Sequence, residues 1–362
     1  TTGEVSLSVA SFSVFSAKQA TVSVWDGGYD YSWYNADAAN LTISSANQFA
    51  AFRTIVDGGY YNANREWVTV EQDSFAGQTV TLAVDIDLNG KNGTLFDPIG
   101  FGYTHGKDSN TAFMGTFDGG NHTVYNLKQN GWDLDPHPGT YDVYSYSTAG
   151  GGLFASIENA IIKNLVVSGA DIVFECIDMG IVVGYAQGNC HFENIVVTDS
   201  KIANYQRPAG GVVGEVSPKY ENGAVVASTC TFSNITIASD VVVGSLWGDF
   251  DTPVGGVIGA RWDDTNTSKV VMSNCDVACR LDVYNDVTST YQWYAYRRAG
   301  MLIGNTDTPA ADGKHSATAT ADFLTCQKDA NGKETVNVYY GNWVNYTYCE
   351  FSTEHNTYNK WP

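Results

Sequence analysis

Residues 180–214 read GIVVGYAQGNCHFENIVVTDSKIANYQRPAGGVVG, and this stretch begins and ends on a similar glycine-rich apolar pentad. The pentad occurs five times, at residues 151–155, 180–184, 210–214, 255–259 and 300–304. Self-similarity of this kind is the signature of a repeat architecture, in which each unit buries its apolar face against its neighbours. The repeat therefore indicates one elongated body rather than two separate domains.

A second recurring feature is an Asn with apolar residues at fixed offsets on both sides. It occurs at Asn164, Asn194, Asn234 and Asn274, with Asn126 in a related segment. This pattern predicts a strand, a corner at the Asn and another strand, as in one coil of a β-solenoid. Equivalent residues of such coils stack about 4.8 Å apart, so their amides can bond in a column that satisfies polar groups at a buried bend. Asn also tolerates the αL conformation of a turn, and either explanation is structural.

The spacing between these Asn residues predicts loops that leave the body. The intervals are 38, 30, 40 and 40 residues, whereas a solenoid coil needs roughly 20 to 30. The surplus residues are expected to form long loops on one face. We therefore predict an all-β fold, a parallel β-solenoid at residues 44–335, with a β appendage at residues 1–43 and a C-terminal cap at residues 336–362.

One helix is predicted, at residues 45–57. Ser45 and Gln48 fit an S-x-x-Q capping box, four apolar residues at helical spacing follow, and Gly58 ends the pattern. Its expected role is to cover the open edge of the first coil. Further along, residues 79–88 alternate as a strand, and Asp118-Gly119-Gly120 predicts a hairpin-like turn between two strands.

The charge balance excludes several classes of partner. The chain has 39 acidic and 19 basic residues, a formal net charge of -20. This field opposes approach to a nucleic-acid backbone or an anionic lipid surface. No run of 18 apolar residues occurs, so no membrane insertion is predicted.

The cysteines do not indicate a metal site. The seven residues contain no CxxC pair, and no His stands at ligand spacing. An odd number in a chain of this length also argues against an obligatory disulfide framework. Cys190 and Cys230 each precede their Asn by four residues, which predicts that the two thiols stack in adjacent coils.

Several motifs in order resemble a known family. They are DIDL (85–88), PIG (98–100), FMGTFDGGNHTVYNL (113–127), and then GGLF, IKNLVVSGADI, GIVVG, ENIVV and AGGVVG. The string resembles the bacterial cell-surface proteins with GLUG-type repeats, over residues 41 to 285 or so. The resemblance implies a right-handed parallel β-helix on a secreted or wall-attached bacterial protein, often an adhesin, and hence an extracellular location. It transfers no catalytic residue.

The predicted loops concentrate aromatic and acidic residues, at 25–34, 132–146, 247–251, 261–265 and 291–298. Aromatic faces stack on sugar rings and carboxylates accept hydrogen bonds from hydroxyls, so this composition permits carbohydrate binding. The candidate ligand-binding residues are Trp247, Asp249, Asp251, Trp262, Asp263, Asp264, Trp293, Arg297 and Arg298.

The same residues have plainer interpretations. The Trp rings would pack on the solenoid, the Asp carboxylates would be solvated turn residues, and the Arg pair would neutralise nearby acids. The acids also suit a structural calcium ion, the one cofactor considered, or a catalytic pair about 5 to 9.5 Å apart. The Arg pair could instead hold the carboxylate of a uronate or sialate.

Three functions follow from these observations. The leading hypothesis is an extracellular binding module for a glycan or a host surface protein. The rival is a carbohydrate-active enzyme, a hydrolase or lyase, which rests on analogy with other β-helices. The third is a structural stalk. Neither catalytic residues nor an oligomeric state are predicted.

Overall fold

A computed structural model describes residues 21–64, 66–100, 111–130, 150–174, 178–204, 207–222, 224–245, 253–261, 268–283, 299–305, 324–333 and 335–339. Within these ranges the chain is mostly β, with long parallel sheets and one α-helix. This arrangement is compatible with a β-solenoid and confirms the all-β prediction at that level. No helix among these residues is long and apolar enough to cross a membrane.

The largest sheet contains twelve of the described strands. They are β1 (Val22–Val24), β2 (Asn40–Ile43), β5 (Thr79–Leu82), β6 (Asp85–Asp87), β7 (Thr116–Tyr125), β10 (Ile161–Ser168), β14 (His191–Thr198), β20 (Ser228–Ile237), β24 (Ser268–Ser273), β25 (Cys275–Val277), β29 (Leu324–Cys326) and β30 (Val336–Val338). From β7 to β29, each strand pairs in parallel with the equivalent strand of the next repeat. The sheet also takes in β1 and β2 near one end and β30 near the other.

Three smaller parallel sheets repeat in the same order along the chain. One contains β8 (Lys128–Asn130), β11 (Asp171–Phe174), β15 (Lys201–Asn204), β21 (Val242–Ser245) and β26 (Arg280–Val283). The next contains β12 (Met179–Gly180), β16 (Ala209–Gly210), β22 (Val254–Gly255) and β27 (Ala299–Gly300). The last, which we call the fourth sheet, contains β9 (Phe154–Glu158), β13 (Val183–Gln187), β17 (Val213–Ser217), β23 (Ile258–Arg261) and β28 (Ile303–Asn305).

One coil is one passage through these four sheets. Ile161 pairs with His191, 30 residues later, and His191 pairs with Thr231, 40 residues later. The longer coil holds an antiparallel hairpin, β18 (Lys219–Glu221) and β19 (Ala224–Val226), which lies outside the parallel sheets. Here the surplus residues do leave the repeat, as the spacing predicted.

The core consists of columns of equivalent side chains. One column runs through Phe117, Ile162, Phe192, Phe232, Met272 and Cys326. The rings of Phe192 and Phe232 are nearly parallel, with centroids 4.7 Å apart. The predicted thiol stack is also present, because Cys190 and Cys230 are buried at equivalent positions of adjacent coils and interact electrostatically, while their thiols donate to the carbonyls of Gln187 and Gly188. Each of the five described cysteines is a free thiol.

The glycine pentads form the tight corner between the third and fourth sheets. Gly180 lies in β12 and Gly184 in β13, with Ile181 and Val182 buried between them. A Cβ atom on Gly180 would collide with the carbonyl oxygen of Val183. The same contact with the carbonyl three residues later recurs at Gly210 and Gly255. Glycine recurs in the sequence because the backbone leaves no room for a side chain.

The Asn corners combine both explanations offered by the sequence. Asn164, Asn194, Asn234 and Asn274 have φ values from 51° to 56°, which places them in the αL region. The amide of Asn194 donates to Oδ1 of Asn164 at 2.8 Å, and that of Asn274 donates to Oδ1 of Asn234 at 3.2 Å. These bonds are on the surface, so the prediction of a buried bend is wrong.

Two further predictions near this column are wrong. Residues 118–120 do not form a hairpin turn, because β7 continues through them and pairs in parallel with β10 across an irregularity in register. The column also begins at Asp118, which accepts from the amide of Asn164 at 3.0 Å, and not at Asn126. Asn126 occupies a later corner, where its backbone N–H bonds to the carbonyl of Ser168.

The predicted helix is present as α1 (Ala46–Asp57). Ser45 caps it by accepting from the backbone N–H of Gln48, while Gln48 reaches back to Ser44, one residue before the cap. Gly58 ends the helix in the αL conformation. The buried Phe49 and Phe52 pack on Phe117, the first member of the core column. The helix thus closes the core at this end, and a short hairpin of β3 (Gly59–Tyr61) and β4 (Trp67–Thr69) follows it.

Candidate functional site

All nine candidate ligand-binding residues lie outside the residues that the structure describes. They are Trp247, Asp249, Asp251, Trp262, Asp263, Asp264, Trp293, Arg297 and Arg298. Their convergence on one groove stays a prediction. Among the described residues, no group of three or more His, Cys, Asp or Glu is placed to hold a metal ion.

One aromatic segment from the sequence, residues 25–34, is described, and the structure divides it. Trp25, Trp33 and Tyr34 pack inward against the core. The indole N–H of Trp25 donates to the carbonyl of Gly28 at 2.9 Å, across the turn formed by Asp26, Gly27 and Gly28. The Tyr34 hydroxyl donates to Asp73 at 2.8 Å. These three side chains therefore stabilise the segment and do not offer a binding surface.

Of the two remaining aromatic residues, Tyr31 lies at the surface, whereas Tyr29 also packs against the core. Tyr29 is half-buried, and its ring centroid is 4.3 Å from that of Tyr60, with the rings tilted by 39°. Tyr31 is 38% exposed, and its hydroxyl is 2.9 Å from Oγ1 of Thr54. We call Tyr29, Tyr31 and Tyr60 the tyrosine surface. Three partly exposed rings are therefore brought together from two separate stretches of sequence.

Local structure explains how the three rings meet. Gly27 has a φ of 93°, which favours glycine, and the turn that contains it directs the chain back over α1. The backbone N–H of Asp30 then donates to the carbonyl of Asn47 at 3.0 Å, which fixes the segment on the first turn of the helix. Tyr60 arrives from β3, directly after the helix ends. Its strand neighbour Tyr61 instead pairs with Trp67, at 5.0 Å between ring centroids.

A buried guanidinium lies beside the tyrosine surface. Arg53 is 7% exposed; its Nε donates to Asp57 at 2.8 Å and its Nη2 to Asp97 at 2.9 Å. Asp57 also accepts from the backbone N–H of Gly100 at 2.8 Å. A buried cation needs such partners because its desolvation is costly. The side chain of Asp97 remains 39% exposed, so the ion pair presents a carboxylate to solvent.

The pKa values reflect this environment. Burial raises the pKa of Tyr29, with a smaller opposing effect from Arg53 and a further increase from Asp97. Burial likewise raises the pKa of Tyr31. A backbone hydrogen bond from Gly28 lowers the pKa of Asp26, and side-chain and backbone bonds with Ser32 lower that of Asp30. At neutral pH the surface thus combines neutral phenols with ionised carboxylates.

A second notable group is a buried pair of carboxyl groups, Asp178 and Glu215. Asp178 directly precedes β12, Glu215 lies in β17 of the next coil, and the two side chains hydrogen-bond to each other. They are 3% and 8% exposed. Burial raises the pKa of Asp178 to about 7, opposed by Glu215 and Arg207. Burial and the Asp178 charge raise the pKa of Glu215 well above its ordinary value.

This pair does not have the geometry of a glycoside hydrolase. Hydrogen-bonded carboxyl oxygens are closer than the separation of about 5 to 9.5 Å that such enzymes use. Both side chains are also almost fully buried, so a polysaccharide would not reach them in this conformation. The pair is therefore best described as a link between successive coils.

Sequence reasoning missed both groups for a definable reason. Glu215 directly follows a pentad and stands in register with Tyr185 and Ala260, positions at which no acid recurs. Asp178 precedes the corresponding pentad by two residues. The register of the pentads could have placed these two acids on neighbouring coils. Nothing in the repeat predicts that Tyr60 meets Tyr29, because both lie before its first unit.

Comparison with known proteins gives little beyond these observations. No protein-family model and no curated protein sequence matches the chain. Among solved structures, the chain is similar to a Bacteroides ovatus protein provisionally described as an immunoglobulin A1 protease. The two share 14% sequence identity with a TM-score of 0.40, over 84% of each chain. A similarity at this level does not bear on function.

Proposed function

We propose that this chain is a right-handed parallel β-helix of an extracellular or cell-surface bacterial protein, and that it acts as a binding module for a glycan. The repeat, the parallel sheets and the resemblance to GLUG-type proteins support the first part. The tyrosine surface supports the second part and is the observation that carries it. Tyr29, Tyr31 and Tyr60 present partly exposed rings next to the exposed carboxylate of Asp97.

The chemistry of this surface suits a sugar. The C–H groups on one face of a pyranose ring pack on an aromatic ring, while the hydroxyls at its rim need hydrogen-bond acceptors. Tyr supplies both an apolar ring and a polar hydroxyl, and such residues dominate the energetics of many interfaces. The carboxylate of Asp97, which acts electrostatically on Tyr29, can serve as one such acceptor. A rigid support is also present, because α1 and the Arg53 ion pairs hold the rings in place.

Binding of oligosaccharides to single variants tests the proposal. A glycan array followed by calorimetric titration of the best oligosaccharide measures affinity for the wild type, Tyr29→Ala and Tyr60→Ala. We expect each variant to lose at least about tenfold in affinity, which is about 1.4 kcal/mol, because each removes half of the ring pair. Tyr339→Ala is the matched control, since Tyr339 is 53% exposed and follows β30 at the other end of the sheet.

The possible outcomes separate the competing functions. Equal affinity of Tyr29→Ala, Tyr60→Ala and wild type would remove the tyrosine surface as the site. Loss of affinity in Trp262→Ala or Trp293→Ala alone would move the site to the loops. Binding of no glycan at all would overturn the proposal in favour of a host protein ligand or a stalk. Shortened products after incubation with polysaccharides would instead identify an enzyme.

A further inference from the structure

Acidic groups outnumber basic groups around the tyrosine surface. Four carboxylates belong to the described structure that builds it: Asp26, Asp30, Asp57 and Asp97. The one described cation in this group is Arg53, so the formal sum is -3. Arg53 is buried and forms ion pairs with both Asp57 and Asp97. Its positive charge is therefore already matched by carboxylates.

We propose that the tyrosine surface selects an oligosaccharide carrying protonated amino groups, of the glucosamine type, over neutral and anionic sugars. This inference rests on the proposed function, since it names the class of glycan that the same site takes. The motivating observation is that three partly exposed Tyr rings occur in the same region as three carboxylates: Asp26 is exposed, the side chain of Asp97 is 39% exposed and Asp30 is half-buried.

An ammonium group gains from both components of this surface. Cations are attracted to the face of an aromatic ring. A carboxylate nearby adds an ion pair, which is weak where it is exposed to solvent. Asp30 lies between Tyr29 and Tyr31 in sequence, and its Oδ2 accepts from Nε2 of Gln48 at 3.1 Å. That bond holds the carboxylate at the first turn of α1.

A sugar carboxylate meets the opposite field. Uronates and sialates are recognised best by a guanidinium that is free to make two parallel hydrogen bonds. Arg53 does not have this freedom, because Nε and Nη2 already serve Asp57 and Asp97. An anionic sugar would also bring its charge next to Asp97 and Asp30. The described surface therefore disfavours the acidic glycans that were one of the alternatives considered for Arg297 and Arg298.

Titration with three tetrasaccharides of matched length tests the inference. The probes are a glucosamine tetramer, an N-acetylglucosamine tetramer and a galacturonate tetramer, at an acidic pH where the sugar amines are protonated. We expect the glucosamine tetramer to bind at least about tenfold more tightly than the acetylated one. This preference should shrink at high salt, because exposed charges are screened.

Charge variants identify the residues responsible. Asp30→Asn should reduce the preference for the glucosamine tetramer by a factor of about three to five, with little change for the acetylated tetramer. Asp276→Asn, near β30, should change neither, since Asp276 is exposed in β25 at the other end of the sheet. Thermal unfolding of each variant shows whether the fold is kept.

Each result has a distinct meaning. Equal binding of the glucosamine and acetylated tetramers, still dependent on Tyr29, would overturn the charge selectivity and leave glycan binding intact. Tight binding of the galacturonate tetramer would do the same. Displacement of the glucosamine tetramer by an equal concentration of tetralysine would show that the surface reads charge and not sugar, which also overturns the inference. Failure of all three sugars to bind would overturn the proposed function with it.

Discussion

The Asn corners show how one residue type meets two separate demands. At Asn194 the backbone has a φ of 53°, and the side-chain amide donates to Asn164 in the neighbouring coil at 2.8 Å. The αL conformation costs most residues about 1–2 kcal/mol, and Asn and Gly much less. A hydrogen bond at an exposed site contributes about 1 kcal/mol or less. The backbone demand should therefore outweigh the ladder.

Substitutions at Asn194 test this order of effects. We expect Asn194→Ala to lower the free energy of unfolding by about 1.5–2.5 kcal/mol, since it loses both the hydrogen bond and the tolerated backbone. Asn194→Gly should lose less than about 1 kcal/mol, because it keeps the αL conformation. Urea unfolding followed by circular dichroism gives both values. Equal destabilisation by Ala and Gly would show that the ladder, not the backbone, determines the choice of Asn.

The glycine pentads show how backbone geometry restricts a whole element, the corner between the third and fourth sheets. A Cβ atom on Gly210 would overlap the carbonyl oxygen of Val213 and lie 2.7 Å from the backbone nitrogen of Gly259. Both obstacles are backbone atoms of paired strands, so they cannot rotate away. The corner has to move, and with it the pairing of β16 with β22.

Gly210→Ala is therefore expected to destabilise the protein by at least about 2 kcal/mol, within the range for overpacked interiors. Gly77→Ala is the matched control, because Gly77 has a φ of 77° but open space around it. That substitution should cost about 1 kcal/mol, from backbone strain alone. Urea unfolding of both variants measures the difference. A smaller loss at Gly210 than at Gly77 would contradict the close approach seen at the corner.

How far the sequence predicts each element depends on whether the element repeats. The pentads, the Asn corners and the Cys190–Cys230 stack were predicted because each residue type recurs at the spacing of the coils. The helix was predicted from local capping chemistry at Ser45 and Gly58. Residues 118–120 were misread because Asp-Gly-Gly favours a turn locally, whereas parallel pairing with β10 keeps the strand continuous.

The candidate sites were less accessible to sequence reasoning for the same reason. The tyrosine surface joins Tyr29 to Tyr60 across α1, a contact that no periodicity encodes. Asp178 and Glu215 are 37 positions apart in the sequence. They can be recognised as neighbours only when the register between β13 and β17 is known. Composition located the first group only as the segment at residues 25–34, without separating the buried Trp25 from the exposed Tyr31.

In the whole molecule, the stacking of coils brings apolar side chains into columns. It also brings groups of like charge close together. The chain carries a net charge of -20, and its self-repulsion increases as further groups lose protons. Asp178 and Glu215 add a local form of this effect, since both are buried and hydrogen-bonded across coils. Their pKa values are higher in the folded protein than the ordinary values of 3.8 and 4.5. The folded state therefore binds protons more tightly than the unfolded state.

The sign of the resulting pH dependence follows from linkage. The stabilisation is fully present below the unfolded pKa values and is lost as the pH rises through about 7, the value for Asp178. We expect the melting temperature of the wild type to fall by several degrees between about pH 5 and about pH 8. Glu215→Gln should reduce this fall, because a neutral amide can donate to ionised Asp178.

A control of equal charge separates the pair from the field of the whole chain. Glu193→Gln removes one negative charge from an exposed position in β14, so it changes the net charge by the same amount as Glu215→Gln. If the buried pair causes the pH dependence, Glu193→Gln should follow the wild type while Glu215→Gln becomes flatter. If general repulsion causes it, the two variants should shift alike, and scanning calorimetry at several pH values would reveal that result. Because only the environment of the removed carboxyl differs, the comparison assigns the pH sensitivity either to one contact between two coils or to the acidic molecule as a whole.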